Sequence, residues 1–80
     1  MDRYYENEKR LAALREQIVE DIVTTLREKG YEVGDTVQYS GTRFEIMDDR
    51  LLVNDYHTDS ISVENLMRAL RTAMHVWSKA

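Results

Sequence analysis

The sequence predicts a small α+β fold with a long N-terminal helix, a three-stranded antiparallel meander and a C-terminal helix, packed as a two-layer sandwich. Apolar residues recur at helical spacing before residue 30 and again after residue 62. Between these segments, short runs alternate between apolar and polar residues, as strands do, and all three glycines lie at positions 30–41, where turns are needed. With 80 residues, the chain is expected to form one domain, residues 1–80.

The first predicted helix covers about residues 3–29. Its apolar stripe comprises Leu11, Leu14, Ile18, Ile22 and Leu26. Gly30 is expected to end it in a left-handed cap. Such a helix spans about 40 Å, whereas five-residue strands span about 17 Å, so its N-terminal part should project beyond the sheet. Tyr4, Tyr5 and Leu11 on this part are candidate dimer or partner contacts, with simple fraying of the helix end as the alternative.

The predicted strands cover about residues 36–40, 43–47 and 50–54. A type II′ turn at Gly41-Thr42 would place Tyr39 opposite Phe44. The same register would place Val37 opposite Ile46. A second turn, at Asp48-Asp49, would pair Ile46 with Leu51 and Phe44 with Val53. The two turns put the same side chains on one face, which both helices are expected to cover.

The second predicted helix covers about residues 63–78. It follows a polar segment, residues 54–60, that has room for a short edge strand. Ser62 is the expected N-cap, and Ile61 before it should pack on Leu66 as a hydrophobic staple. Trp77 is expected to be the last core anchor of this helix, with an exposed contact as the alternative.

The sequence contains no pattern typical of a catalytic site. There is no cysteine, no nucleophile elbow and no glycine-rich phosphate loop. Asp55, His57 and Asp59 alternate in the polar segment, but a solvated loop explains them better than a metal site. A small core also leaves little space for a substrate pocket of several hundred Å³. We therefore expect a non-enzyme with no catalytic residue, no metal and no cofactor.

Hydropathy and charge limit the location and the partners. No stretch approaches the ~20 apolar residues of a membrane span, and residues 1–6 lack the apolar core of a signal peptide, so a cytoplasmic location is expected.

The net charge is −4, and residues 31–65 carry eight acidic residues against Arg43 and Arg50. The candidate partner-binding acids are Glu32, Asp35, Glu45, Asp48, Asp49, Asp55 and Asp59. An acidic surface of this kind could attract a basic protein surface, although it also serves solubility.

The leading functional hypothesis is a non-catalytic protein-binding module. Its specific version is a small acidic inhibitor of the phage or mobile-element kind, directed against a host defence or nucleic-acid-binding protein. One alternative is a dimeric DNA-associated regulatory or accessory protein that contacts phosphate through Arg68, Arg71 and Lys79. Against it, the whole chain lacks a basic footprint, so nucleic acid is an unlikely partner. A structural subunit of a larger assembly is the remaining alternative.

Overall fold

The computed structural model describes residues 3–48 and 50–79, with side chains from residue 9 onward. Its elements are α1 (Arg3–Glu28), β1 (Thr36–Tyr39), β2 (Thr42–Ile46), β3 (Leu51–Val53), β4 (Tyr56–His57), a 3₁₀ turn (Thr58–Ser60) and α2 (Val63–His75). The strands form one antiparallel sheet in the order β1-β2-β3-β4. The predicted α+β class and the order of helix, sheet and helix are confirmed.

The core lies between one face of the sheet and the two helices. Its buried residues are Ile18, Ile22 and Leu26 of α1, Val37, Phe44, Ile46, Leu51 and Val53 of the sheet, and Leu66, Ala69, Ala73 and Val76 of the C-terminal region. Successive strand side chains point to opposite faces, so these five sheet residues share one face, and the helices cover it. Full burial of a Leu, Ile or Phe side chain contributes about 1.5–3 kcal/mol.

The predicted cap at the end of α1 is confirmed. Gly30 has φ +100, and its N–H donates to the Arg27 carbonyl at 2.9 Å. The Tyr31 N–H donates to the Leu26 carbonyl at 3.1 Å. This pair of hydrogen bonds is the Schellman motif, which satisfies carbonyls that would otherwise lack partners at the helix end. The half-buried Tyr31 ring packs against the core cluster that contains Leu26.

The first hairpin differs from its prediction. Its turn is Ser40-Gly41, with φ values of 51 and 79, and positive φ at both central residues defines a type I′ turn. Val37 therefore lies opposite Phe44, and Tyr39 lies opposite Thr42. The type II′ turn at Gly41-Thr42 and the pairing derived from it are wrong. Because strand side chains repeat every two residues, the two-residue shift in pairing leaves them on their predicted faces.

The second hairpin has the predicted register, and a further strand follows it. Phe44 lies opposite Val53 and Ile46 opposite Leu51. Asn54 and Asp55 then form a second turn with positive φ at both residues, 53 and 71, which returns the chain along β3 as the two-residue strand β4. The sheet therefore has four strands rather than three. Both residue types tolerate the left-handed conformation, which makes this turn possible without glycine.

Helix α2 begins as predicted and ends earlier. The Ser62 hydroxyl accepts a hydrogen bond from the Asn65 N–H at 3.2 Å, as an N-cap does. The helix ends at His75 instead of residue 78, because Val76 takes extended dihedral angles, φ −64 and ψ 144. Val76 is 3% exposed, whereas Trp77 is 77% exposed. Val76 is thus the last core residue, and the prediction of Trp77 as a core anchor is wrong.

The segment after α2 is held against the end of α1. The Lys29 ammonium donates to the carbonyls of Met74 and Val76 at 3.0 and 2.7 Å. The Lys79 N–H donates to the Lys29 carbonyl at 2.7 Å, and the Tyr31 hydroxyl to the Trp77 carbonyl at 3.0 Å. These contacts bring together the C-terminal ends of both helices.

The two helices run in the same direction across the sheet. At their other ends, the Arg15 guanidinium donates to the carbonyl of Thr58 at 2.9 Å, five residues before α2 begins. Since Lys29, directly after α1, binds the Met74 carbonyl near the end of α2, the contacts advance together along both helices. The part of α1 before Arg15 has no counterpart in α2 and extends past it.

Candidate functional site

The N-terminal half of α1 projects from the body of the molecule, as expected from its length. In this half, residues 9–14, whose side chains are described, are all exposed, and the described part of the molecule measures 51 × 23 × 20 Å. Leu11 and Leu14 continue the stripe of Ile18, Ile22 and Leu26, yet they are 50% and 44% exposed. The side chains of Tyr4 and Tyr5, also candidate contacts, lie outside the described residues.

A groove runs between α1 and the 3₁₀ turn. It has a volume of about 330 Å³, and Ala12 and Val19 form its apolar part. Three carboxylates line it, those of Glu16, Glu20 and Asp59. We call this feature the acidic α1 groove. Within the described part of the chain, none of these carboxylates takes part in an ion pair.

Among the residues with described side chains, Arg15 is the only base that lines the acidic α1 groove. Its guanidinium is held by the Thr58 carbonyl at 2.9 Å. Its three acids and one base give the groove a net negative charge. The exposed Leu11 lies one helical turn before Arg15 on α1 and is therefore next to the groove. A partner that carries a cationic side chain and an apolar side chain would complement this combination.

Sequence reasoning identified one of the three acids of this groove. Asp59 is one of the candidate acids in the middle of the chain, whereas Glu16 and Glu20 on α1 are not among those candidates. Their i,i+4 spacing showed that the two share one side of the helix. Only the packing of the 3₁₀ turn against α1 brings Asp59 to that side.

Two of the other candidate acids form ion pairs with bases of the same chain. Asp55 forms an ion pair with Arg43 across the top of the sheet. Asp35 forms one with Lys79, with 2.8 Å between Oδ2 and Nζ. The hydrogen bond from the Lys79 ammonium, followed by one from the Glu32 N–H, lowers the pKa of Asp35. The same hydrogen bond raises the pKa of Lys79.

The remaining acids are distributed over different sides. Asp48 follows β2, at the sheet end opposite the Asn54-Asp55 turn. Glu45 is half-buried on the outer face of the sheet, and Glu32 is exposed in the connection between α1 and β1. Asp49 lies outside the described residues. The described acids of the middle segment therefore do not form one continuous surface.

The predicted basic stripe is shorter than expected. Arg68 and Arg71 are exposed, one turn apart on α2. Lys79 does not extend this stripe, because α2 ends at His75 and the Lys79 ammonium is bound to Asp35. Two arginines are therefore left for the phosphate contacts expected of three bases.

A second groove, of about 430 Å³, lies between α2 and the sheet. We call it the α2 groove. The groove opens on the surface beside the core and is not a cavity within it. Val53 and Ala69 form its buried floor.

The alternating Asp55, His57 and Asp59 do not share one site. Asp55 binds Arg43, the Nε2 of His57 lies 3.3 Å from the Arg50 guanidinium, and Asp59 faces α1. Within residues 3–48 and 50–79, no three His, Cys, Asp or Glu side chains are close enough together to hold a metal ion. No helix in the same ranges combines the length and hydropathy needed to cross a membrane.

Comparison with known proteins identified no relative. No family model matches the chain, and no curated protein or solved structure is significantly similar to it. Function is therefore inferred from the surface features described above.

Proposed function

We propose that this chain is a non-catalytic protein-binding module that uses the projecting half of α1 and the acidic α1 groove. The observation that carries the proposal is the apolar stripe of α1, which continues from buried Ile18 to Leu14 and Leu11, each about half exposed. An isolated helix end gains little stability by itself, whereas covering such a stripe stabilises it.

The charge around the stripe favours a basic partner surface. Glu16, Glu20 and Asp59 converge beside Ala12 and Val19, and none of the three forms an ion pair with another described residue. A lysine or arginine of a partner could reach these carboxylates while an apolar neighbour covers Leu11. Partly desolvated charge pairs of this kind accelerate association and select the partner.

The specific version of the proposal is a small inhibitor of the phage or mobile-element kind, acting in the cytoplasm. Basic, partly apolar surfaces are typical of proteins that bind nucleic acid. A module with the acidic α1 groove could occupy such a surface on a host protein and keep nucleic acid away from it. Alternatively, a second copy of this chain could pack its own α1 stripe against this one and cover Leu11 and Leu14 in place of another protein.

The test compares capture of partners from a lysate of the source by the wild type and two double variants. Glu16→Lys with Glu20→Lys reverses the groove charge and keeps the like-charge spacing on the helix. Glu32→Lys with Glu45→Lys makes the same change in net charge elsewhere. We expect one dominant protein that the wild type and the second variant retain at low salt, and that the first variant loses.

Loss of that protein from the Glu32/Glu45 variant alone would place the interface elsewhere and overturn the proposed site. Recovery of nucleic acid that nuclease removes, with no protein, would overturn protein binding itself. Sedimentation velocity at micromolar concentration tests whether a second copy of the chain covers the stripe. A wild-type dimer that Leu11→Ala with Leu14→Ala converts to a monomer would assign the stripe to a second copy.

A further inference from the structure

The α2 groove has a chemical character different from that of the acidic α1 groove. Its buried floor is Val53 and Ala69, and its rim carries hydroxyl, amide and guanidinium groups. Although the chain contains fifteen acidic residues, none of those with described side chains lines this groove. Arg68 is the only charged residue among the described residues that line it. The groove is therefore locally suited to an anion within an acidic protein.

Several polar groups of the rim have no partner within the described part of the molecule. The Ser62 hydroxyl caps α2, and the Thr72 hydroxyl is bound to the Arg68 carbonyl. In contrast, the Asn65 amide, the Arg68 guanidinium and the Tyr56 hydroxyl make no hydrogen bond to another described residue. An amide, a guanidinium and a phenol together provide both donors and acceptors to a ligand.

The aromatic wall of the groove is exposed. Tyr56 on the edge strand β4 is 63% exposed, and it lines the groove together with Arg68. A planar ring of a ligand could stack on this phenol, as bases stack on aromatic side chains in proteins that bind single strands. Arg68 could bind phosphate oxygens in bidentate fashion.

We propose that the α2 groove binds a nucleotide unit, with phosphate at Arg68, the base against Tyr56 and the Asn65 amide as a hydrogen-bonding group. The volume of about 430 Å³ falls within the range of small-molecule sites. The site shares no residue with the acidic α1 groove. It is therefore independent of the proposed protein-binding function.

The first experiment is a titration of the ¹⁵N-labelled chain followed by NMR, with adenosine monophosphate, adenosine and inorganic phosphate as separate probes. We expect saturable shifts of groove resonances with the monophosphate. Adenosine and phosphate should each bind roughly tenfold more weakly, because each lacks one of the two main contacts. Absence of groove shifts with the monophosphate, or equal binding of phosphate alone, would overturn the proposal.

The second experiment uses a matched pair of variants. Arg68→Gln should weaken binding of the monophosphate roughly tenfold, because it removes a charged hydrogen-bond donor. Arg71→Gln removes the same charge one turn along α2, outside the groove, and should leave the affinity unchanged. Equal weakening by both variants would show diffuse electrostatic attraction and contradict a built site.

A free nucleotide and a nucleotide within a single strand present the same chemistry. Titration with a short oligothymidylate distinguishes them. Affinity no higher than that of thymidine monophosphate identifies the free nucleotide as the ligand. Higher affinity with a steeper salt dependence identifies the strand, because further phosphates are then neutralised by bases outside the groove, such as Arg71. Tyr56→Leu should lose binding of both thymidine monophosphate and the oligothymidylate, because a base is expected to stack on Tyr56 in either case.

Discussion

The ammonium of Lys79 lies 2.8 Å from the Oδ2 of Asp35, which joins the segment after α2 to the loop between α1 and β1. The pKa of Asp35 is lowered, so its stabilising contribution is present above its unfolded pKa, about 3.9, and is lost as pH falls through the folded pKa. We predict that wild type loses more stability than Asp35→Asn when the pH falls below about 4. Urea unfolding at several pH values measures the difference, and parallel curves would contradict the prediction.

The same ion pair predicts the effect of removing the cation. Lys79→Met should raise the pKa of Asp35 towards its ordinary value, because the largest cause of the shift is the hydrogen bond from Lys79. The Glu32 N–H still donates to this carboxylate at 2.8 Å, so part of the shift should persist. Carboxyl ¹³C chemical shifts followed by pH titration measure it. An unchanged pKa would show that the ion pair is not formed in solution.

Gly30 and Gly34 form a matched pair of positive-φ glycines, with φ of +100 and +97. An alanine costs about 1–2 kcal/mol in a left-handed conformation. At Gly30 the added Cβ would also lie 3.2 Å from the Lys79 Cβ, whereas at Gly34 it would meet nothing within 4 Å. We predict that Gly30→Ala destabilises more than Gly34→Ala in urea unfolding. Equal losses would mean that the Lys79 segment moves aside freely.

Val76 and Trp77 are adjacent and differ sharply in burial. Val76→Ala should cost roughly 1.5–3 kcal/mol, because it removes buried methyl groups from the core. Trp77→Ala should stay within about 0.5 kcal/mol, because the indole is exposed. Thermal unfolding compares the two variants. The fluorescence of Trp77 should be that of a water-exposed indole and should be readily quenched by iodide. A blue-shifted, protected emission would contradict this placement.

The apolar stripe of α1 should divide into a structural part and a free part. Ile18→Ala should cost about 2–5 kcal/mol, since Ile18 is buried. Leu11→Ala with Leu14→Ala should cost less than about 1 kcal/mol in the monomer, because both side chains are exposed and alanine is a good helix former. Circular dichroism with urea unfolding at low concentration measures both. A large loss from the double variant would show that the stripe is already covered.

The first hairpin offers a stabilising substitution. Ser40 has φ 51 at the first central position of a type I′ turn, where asparagine is preferred before glycine. Ser40→Asn should raise the stability by about 0.5 kcal/mol, within the usual gain from optimised turns. Ser78→Asn, at an exposed position outside any turn of this type, is the control and should change nothing. A destabilised Ser40→Asn would contradict the turn assignment.

Much of the fold followed from local chemistry. The spacing of Ile18, Ile22 and Leu26 predicted the buried stripe of α1, Gly30 predicted its end, and Ser62 predicted the start of α2. Each of these signals acts within one or two turns of chain and so needs no knowledge of distant contacts. The faces of the strands were predictable for the same reason, and they remained correct although the first turn lay one residue earlier.

Contacts between distant parts of the chain decided the rest. The amino acids alone do not show that Lys29 binds the carbonyls of Met74 and Val76 or that Tyr31 binds that of Trp77. Nor do they show that α2 ends at His75 and leaves Trp77 in solvent. Nor do they show that Asp59 lies beside α1 or that no acid with a described side chain lines the α2 groove. Sequence periodicity specified which residues each element buries, because burial follows from spacing along one helix or strand. The packing of those elements decided which charges are paired and which converge on a groove, because that depends on distances between segments far apart in the chain.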